Sequence, residues 1–209
     1  MISPKTIREL WLLDEEHVQK RFFRLLGVLP LFFFFAQAVH YWRINELGHM
    51  LWICNIGNLI LAIALFINHA TLIRVVALWT IPGLVIWFVY VVMSWGVFLS
   101  STLAHVGGLI VAMIALRRVG MDRFGWIYSM AGYLVIQLVS RWLTPAVLNV
   151  NLAHSVQDGW ATTFGSYWKF WIVITFVALV TVWSLGIVFR WMWPTEPELQ
   201  TTTDVSRTN

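Results

Sequence analysis

Long neutral stretches separated by short charged ones set the rhythm of this chain. Six apolar runs, 25–42, 49–67, 72–95, 98–116, 125–145 and 170–193, each approach the roughly 20 residues a helix needs to cross a hydrocarbon core of about 30 Å. They predict six transmembrane helices. Pro30 and Pro82 fall inside runs and are expected to kink their helices, as bundles tolerate. The run 72–95, interrupted by Pro82, reads as one tilted helix or as two shorter pieces. Ahead of the first run, Ser3-Pro4 and Thr6-x-x-Glu9 are helix-start signals. Ile7, Leu10, Val18 and Phe22 then share a face roughly opposite Arg8, Glu15 and Lys20. Residues 1–24 thus read as an amphipathic helix on the membrane surface, or as a solvated leader to the first span. Residues 25–193 form the membrane domain, and the polar, Thr-rich segment 194–209 reads as a disordered cytoplasmic tail.

Composition strengthens this picture. Hydrophobic residues make up 59% of the chain and charged ones 11%, well below the quarter or so carried by soluble domains. The fold class expected is all-α, a polytopic membrane protein with six transmembrane helices, N-in and C-in. Its net charge of +4 does not signal nucleic-acid binding, because the basic residues sit between apolar runs, where they report topology. Lys5, Arg8, Lys20, Arg21, Arg24, Arg74, Arg117, Arg118, Arg123, Arg190 and Arg207 fall on one side; Arg43, Arg141 and Lys169 fall on the other. The first group marks the cytoplasmic face of an inner (plasma) membrane. Tyr41, Trp42, Trp52, Trp95, Trp142, Trp160, Tyr167 and Trp168 gather near the opposite boundary as an aromatic belt. The single cysteine, Cys54, excludes an intrachain disulfide.

Polar residues within the runs form stripes. Cys54 and Asn55 lie one turn from Asn58; Ser101, Thr102 and His105 share a face, with Gly108 a turn on; Ser129, Tyr133, Gln137 and Arg141 recur at four-residue spacing. Gln37, His40, Tyr41, Trp87 and Tyr90 join them from other spans. At about 1.5 Å per residue, Cys54 and His105 both lie roughly 7–11 Å below the outer boundary. Such groups are expensive in lipid and normally face a bundle interior, so a shared polar pocket in the outer half is expected. The connection 146–168 carries Asn149, Asn151, His154, Gln157 and Asp158. At that length it is expected to have a function, folding back as a cap over the pocket.

Cys54 with His105 is the sharpest chemical reading. A buried thiol becomes a nucleophile when a neighbouring base takes its proton, and Asn55, Asn58 or backbone amides could steady an oxyanion. The plain alternatives are a small apolar filler at Cys54 and a structural hydrogen bond at His105. Arg141 is expected to meet a lipid headgroup, to pair with Asp158, or simply to snorkel. His40, His49, His105 and His154 are possible haem ligands, but no H-x-x-x-H spacing supports them, and no metal or other cofactor is expected. Gly107-Gly108 reads as a close-packing site. The chain has no Walker loop, dinucleotide fingerprint, H-E-x-x-H or Ser-centred elbow.

Three patches, LWICNIGNLILAIALF, FLSSTLAHVGGLIVAMIAL and LNVNLAH, resemble YwaF-like bacterial integral membrane proteins, a group related to eukaryotic intramembrane lipid acyltransferases and hydrolases. The resemblance spans roughly residues 49–160. It departs from the pattern at Trp52 and Leu152, which replace a His and a Tyr. It implies six helices, Cys54 as nucleophile and His105 as base. The expected function is therefore acyl transfer or hydrolysis on a membrane lipid, with Asn55, Asn58, Arg141, Asn149, Asn151, His154 and His40 around the substrate. Two rival classes remain: a non-enzymatic subunit that binds haem, quinone or a membrane-protein partner (a second copy of the chain included), and a small transporter or lipid-binding protein.

Overall fold

A computed structural model describes residues 4–94, 96 and 98–195; of 4–16, 19 and 94 it describes the backbone only. The regular structure of the described residues is all helical, apart from one isolated bridge between Met121 and Pro194. Its elements are α1 (Pro4–Arg43), α2 (Ile53–Phe66), α3 (Ala70–Ser94), α4 (Leu99–Thr102), α5 (Gly108–Val119), α6 (Gly125–Leu143), α7 (Ala161–Phe164) and α8 (Tyr167–Met192). A single π-helical turn, Leu103–Gly107, joins α4 to α5 in one continuous rod.

Four helices are long and apolar enough to cross a membrane: Lys20–Arg43 of α1, Ala70–Met93 of α3, the α4–α5 rod Leu99–Val119, and α8. Helix α2 is apolar but has only 14 residues. Helix α6 has 19, and the stripe of Ser129, Tyr133, Gln137, Ser140 and Arg141 dilutes its apolar character. Helix α3 passes unbroken through Pro82, so the 72–95 run is one helix as far as it is described, to Ser94. Helix α1 likewise runs without an end between 24 and 25. The side chains of Ile7 and Leu10, assigned above to a surface-lying face, lie outside the described residues, as do Trp95 and residues 196–209.

Neighbouring rods pack side by side, and three contacts show their directions. Gly27 of α1 faces Ala62 and Leu65 of α2, whereas Gln37 reaches Asn55, so these two run antiparallel. Phe22 and Phe33 of α1 meet Arg118 and Gly107 of the α4–α5 rod, also in opposite order. Trp126 of α6 lies on Gly186 of α8 while Gln137 meets Trp171, again antiparallel. Helix α3 touches α2, α5, α6 and α8 and so occupies the middle. Its Ile73 and residues 75–79 supply much of the core with Leu61, Leu65, Val111, Ala112, Ala115 and Leu116, all buried. Outward-facing residues stay apolar: Val85, Ile86, Phe88, Ile172 and Phe176 are all exposed. That inversion suits lipid as the surrounding solvent.

Each end of the bundle is closed by a side chain distant in sequence. At one end Arg74 of α3 donates to the carbonyls of Gly120 (2.7 Å) and Val119 (3.0 Å), and its guanidinium pairs with Asp122. It thereby satisfies carbonyls left open by the end of α5. Gly120 there has φ +64°, and a Cβ would strike the Pro194 carbonyl at 2.8 Å. At the other end α2 begins abruptly after the 3-10 turn Leu47–Leu51, because Trp52 adopts an extended ψ of 134°. The device that holds this break belongs to the polar sites.

Candidate functional site

The polar stripes meet their partners in two separate places, not in one chamber. The first is a cavity between α2, α3 and the α4–α5 rod, lined by Cys54, Asn58, Trp79, Thr80, His105 and Gly108 among others. It measures about 20 Å3, room for about one water molecule.

Asn58, 4% exposed, sits one turn beyond Cys54 on α2. Its amide nitrogen donates to the Cys54 carbonyl (2.8 Å) and to the Ala104 carbonyl on the facing rod (3.0 Å). Two carbonyl neighbours can only accept, which fixes the amide orientation. Its Oδ1 is then left buried without a partner. Gly108 makes room for it: a Cβ there would lie 2.7 Å from that oxygen.

His105 stands in the π turn and is 9% exposed. A π turn inserts one residue into the α register and re-aims what it carries, and such turns recur at functional sites. The ring stacks on Trp87 at 5.3 Å and 18°, and Trp87 Nε1 in turn donates to Ser101 Oγ (2.8 Å). Nδ1 lies 2.8 Å from the Ser101 carbonyl. A carbonyl has no proton to give, so Nδ1 is the donor and a neutral ring keeps its lone pair on Nε2. Cys54 and His105 therefore share one cavity, but among the described residues no hydrogen bond joins the thiol to the ring.

The second place is the seam between the connection after α6 and the start of α2. Asn151, 5% exposed with φ +53°, accepts from the Ile53 N–H (2.9 Å) and donates to the Leu51 carbonyl (2.7 Å) and to Ser140 Oγ (2.8 Å). Its amide grips the backbone on both sides of Trp52 and caps α2 from 98 residues away. Gln137 is fully engaged as well. Its Nε2 donates to the Asn151 carbonyl (3.1 Å) and to the Tyr133 hydroxyl (3.3 Å), and its Oε1 accepts from Trp171 Nε1 (2.8 Å).

The remaining predicted residues are placed as follows. Asn149 turns the loop: its Oδ1 accepts from the N–H groups of His154 and Ser155, both at 3.0 Å. Thr144 gives its hydroxyl proton to the Ser140 carbonyl, so the 3.3 Å contact with His154 Nε2 has histidine as donor. Arg141 donates to the Ala153 carbonyl (2.6 Å) beneath the Tyr167 ring, where the sequence allowed Asp158 as its partner. His40 packs on Phe98 at 4.9 Å. Asn55 bridges from the His49 carbonyl (2.9 Å) to Gln37 (3.5 Å), whose own Oε1 is buried and unpartnered.

Asn149, Asn151, His154 and Arg141 thus hold the 146–153 segment against α2 and α6. None of them lines the cavity of Cys54 and His105, so the expected cap covers the seam and not the cavity. Trp79 and Thr80 do line it, and were not singled out from the sequence; only their place just before Pro82 distinguishes them. No group of three or more His, Cys, Asp or Glu side chains suited to a metal ion occurs among the described residues. No protein-family model, curated protein or solved structure matches this chain.

Proposed function

We propose that this chain is a six-span membrane protein, with both ends on the cytoplasmic side of an inner membrane, that binds the polar group of a membrane-soluble molecule between α2, α3 and the α4–α5 rod. One observation carries the reading: four hydrophilic side chains from three rods, Cys54, Asn58, Thr80 and His105, line one small cavity inside an apolar bundle. A buried acceptor without a partner, Asn58 Oδ1, calls for an explanation, and a bound polar group supplies it. Gly57 gives the test. It lines the same cavity, and a methyl there would meet Val76 at an ordinary 3.7 Å. Gly57→Ala is expected to fold normally while filling the space. Mass spectrometry of molecules extracted from purified protein should find a near-stoichiometric apolar ligand in the wild type and a severalfold reduction in the variant. Equal amounts in both would reject the reading.

A second reading is acyl chemistry at the same place, favoured by the lone pair that the Ser101 bond leaves on His105 Nε2. The thiol proton would pass to Nε2 as the Cys54 sulfur attacks a lipid ester carbonyl. The departing alcohol would carry that proton away and leave a thioester for water or another alcohol to cleave. These are also the residues on which the resemblance to YwaF-like proteins rests. Because no hydrogen bond joins thiol to ring, the pair would have to close first. A small activity-based thiol probe tests it: labelling of Cys54 should fall at least tenfold in His105→Ala. Undiminished labelling removes the pair.

A further inference from the structure

The cavity is chemically one-sided. Its strong hydrogen-bond donors are already engaged with protein carbonyls: both amide hydrogens of Asn58 on Cys54 and Ala104, His105 Nδ1 on Ser101, Trp79 Nε1 on Ser129 (3.1 Å), and the Thr80 hydroxyl on Ala77 (2.8 Å). What remains for a ligand is a set of acceptors. Asn58 Oδ1 is buried and unpartnered, and His105 holds its lone pair on Nε2. The Cys54 thiol is at best a weak donor.

A carbonyl or phosphate entering this space would find acceptors facing acceptors. A hard cation would want about six oxygen ligands or more and a softer one about four from Cys, His or carboxylates, and the described residues group no three such side chains. We infer that the cavity is selective for a hydroxyl group: it takes the O–H of an alcohol on an apolar skeleton, donated to Asn58 Oδ1 or His105 Nε2. This deepens the ligand-binding reading above and rests on it. The size agrees, since about 20 Å3 admits one oxygen atom while the skeleton stays outside. Two membrane-soluble sources share this chemistry, a diacylglycerol and a reduced quinone.

The test compares each alcohol with a partner that lacks the donor, using purified full-length protein in phosphatidylcholine nanodiscs. One pair is 1,2-dioleoylglycerol and its methyl ether; the other is ubiquinol and ubiquinone. Titration calorimetry or the shift in unfolding temperature is the readout. At least one alcohol is expected to bind, about tenfold or more tightly than its partner, because losing the donor leaves a buried acceptor unsatisfied. The pair that responds identifies the source. Gly108→Ala would put a methyl 2.7 Å from Asn58 Oδ1 and, like Asn58→Leu, should erase the preference where that oxygen is the acceptor, as His105→Ala should where Nε2 is. If these variants misfold, the alcohol–ether comparison on the wild type still decides. Ether and alcohol binding equally well would overturn the hydroxyl assignment but leave a ligand site standing. Binding of neither member of either pair, with water alone in the cavity, would overturn both.

Discussion

Asn151 and Asn58 do similar work with different remainders. Each uses its side-chain amide to tie backbone groups from distant parts of the chain. Asn151 ends with its amide fully engaged on Ile53, Leu51 and Ser140, whereas Asn58 is left with one open oxygen. The first therefore holds the fold together, and the second is the one that the proposed ligand would meet. Asn151→Ala would leave the Ile53 N–H and the Leu51 carbonyl unpaired and place alanine at φ +53°. A loss of about 3 kcal/mol is expected from these two effects, measured by denaturant unfolding in detergent. Asn149→Ala, which also places alanine at positive φ (+41°) but loses more exposed bonds, should cost less, about 2 kcal/mol. Equal effects would mean that Asn151 is not the clamp. At this scale the sequence was half legible. Periodicity put Cys54, Asn58 and His105 on inward faces, and depth put Cys54 and His105 at one level. It could not say that Asn151 reaches across 98 residues to α2, because nothing local to either segment encodes that contact.

Helix limits were the most legible feature. Each long apolar run lies in a helix that ends within a few residues of the run's C-terminal boundary, because length and apolarity are local properties, although α1 begins at Pro4, well ahead of its run, and passes the expected boundary at 24/25 unbroken. The exceptions have non-local causes. The run 49–67 loses its first residues to a 3-10 turn, since the Asn151 amide holds the chain extended at Trp52. The π turn at Leu103–Gly107 coincides with close approach of two helices to consecutive glycines. A Cβ on Gly107 would sit 2.8 Å from the Phe33 ring of α1, and one on Gly108 would meet Asn58 of α2. The expected close packing at Gly107-Gly108 thus has two different partners. Gly107→Ala should destabilise the protein by about 1–3 kcal/mol through overpacking. Phe33→Leu in the same chain should recover part of that loss, a coupling readable in a double-mutant cycle. Strict additivity would show that the two residues do not press on each other.

The whole molecule turns on how many of its helices cross the membrane. Four satisfy length and apolarity unaided. Helix α2, about 21 Å long at 1.5 Å per residue, and the polar-striped α6 do not, yet both pack in antiparallel register with helices that do. Their polar stripes face neighbouring helices: Asn55 and Asn58 are buried on α2, and Ser129, Gln137 and Ser140 on α6. The Lys and Arg asymmetry expected from the sequence depends on a crossing by α2, because Arg43 is separated from Arg74 by α2 alone. Single cysteines introduced into a Cys54→Ser background at Asn45, Asn68, Arg123 and Asp158, and challenged with a membrane-impermeant thiol reagent in intact cells, test this most directly. Positions 45 and 158 are expected to be labelled from outside, while 68 and 123 react only after permeabilisation. Asn45 and Asn68 reporting the same side would contradict the six-span reading, because α2 would then not cross.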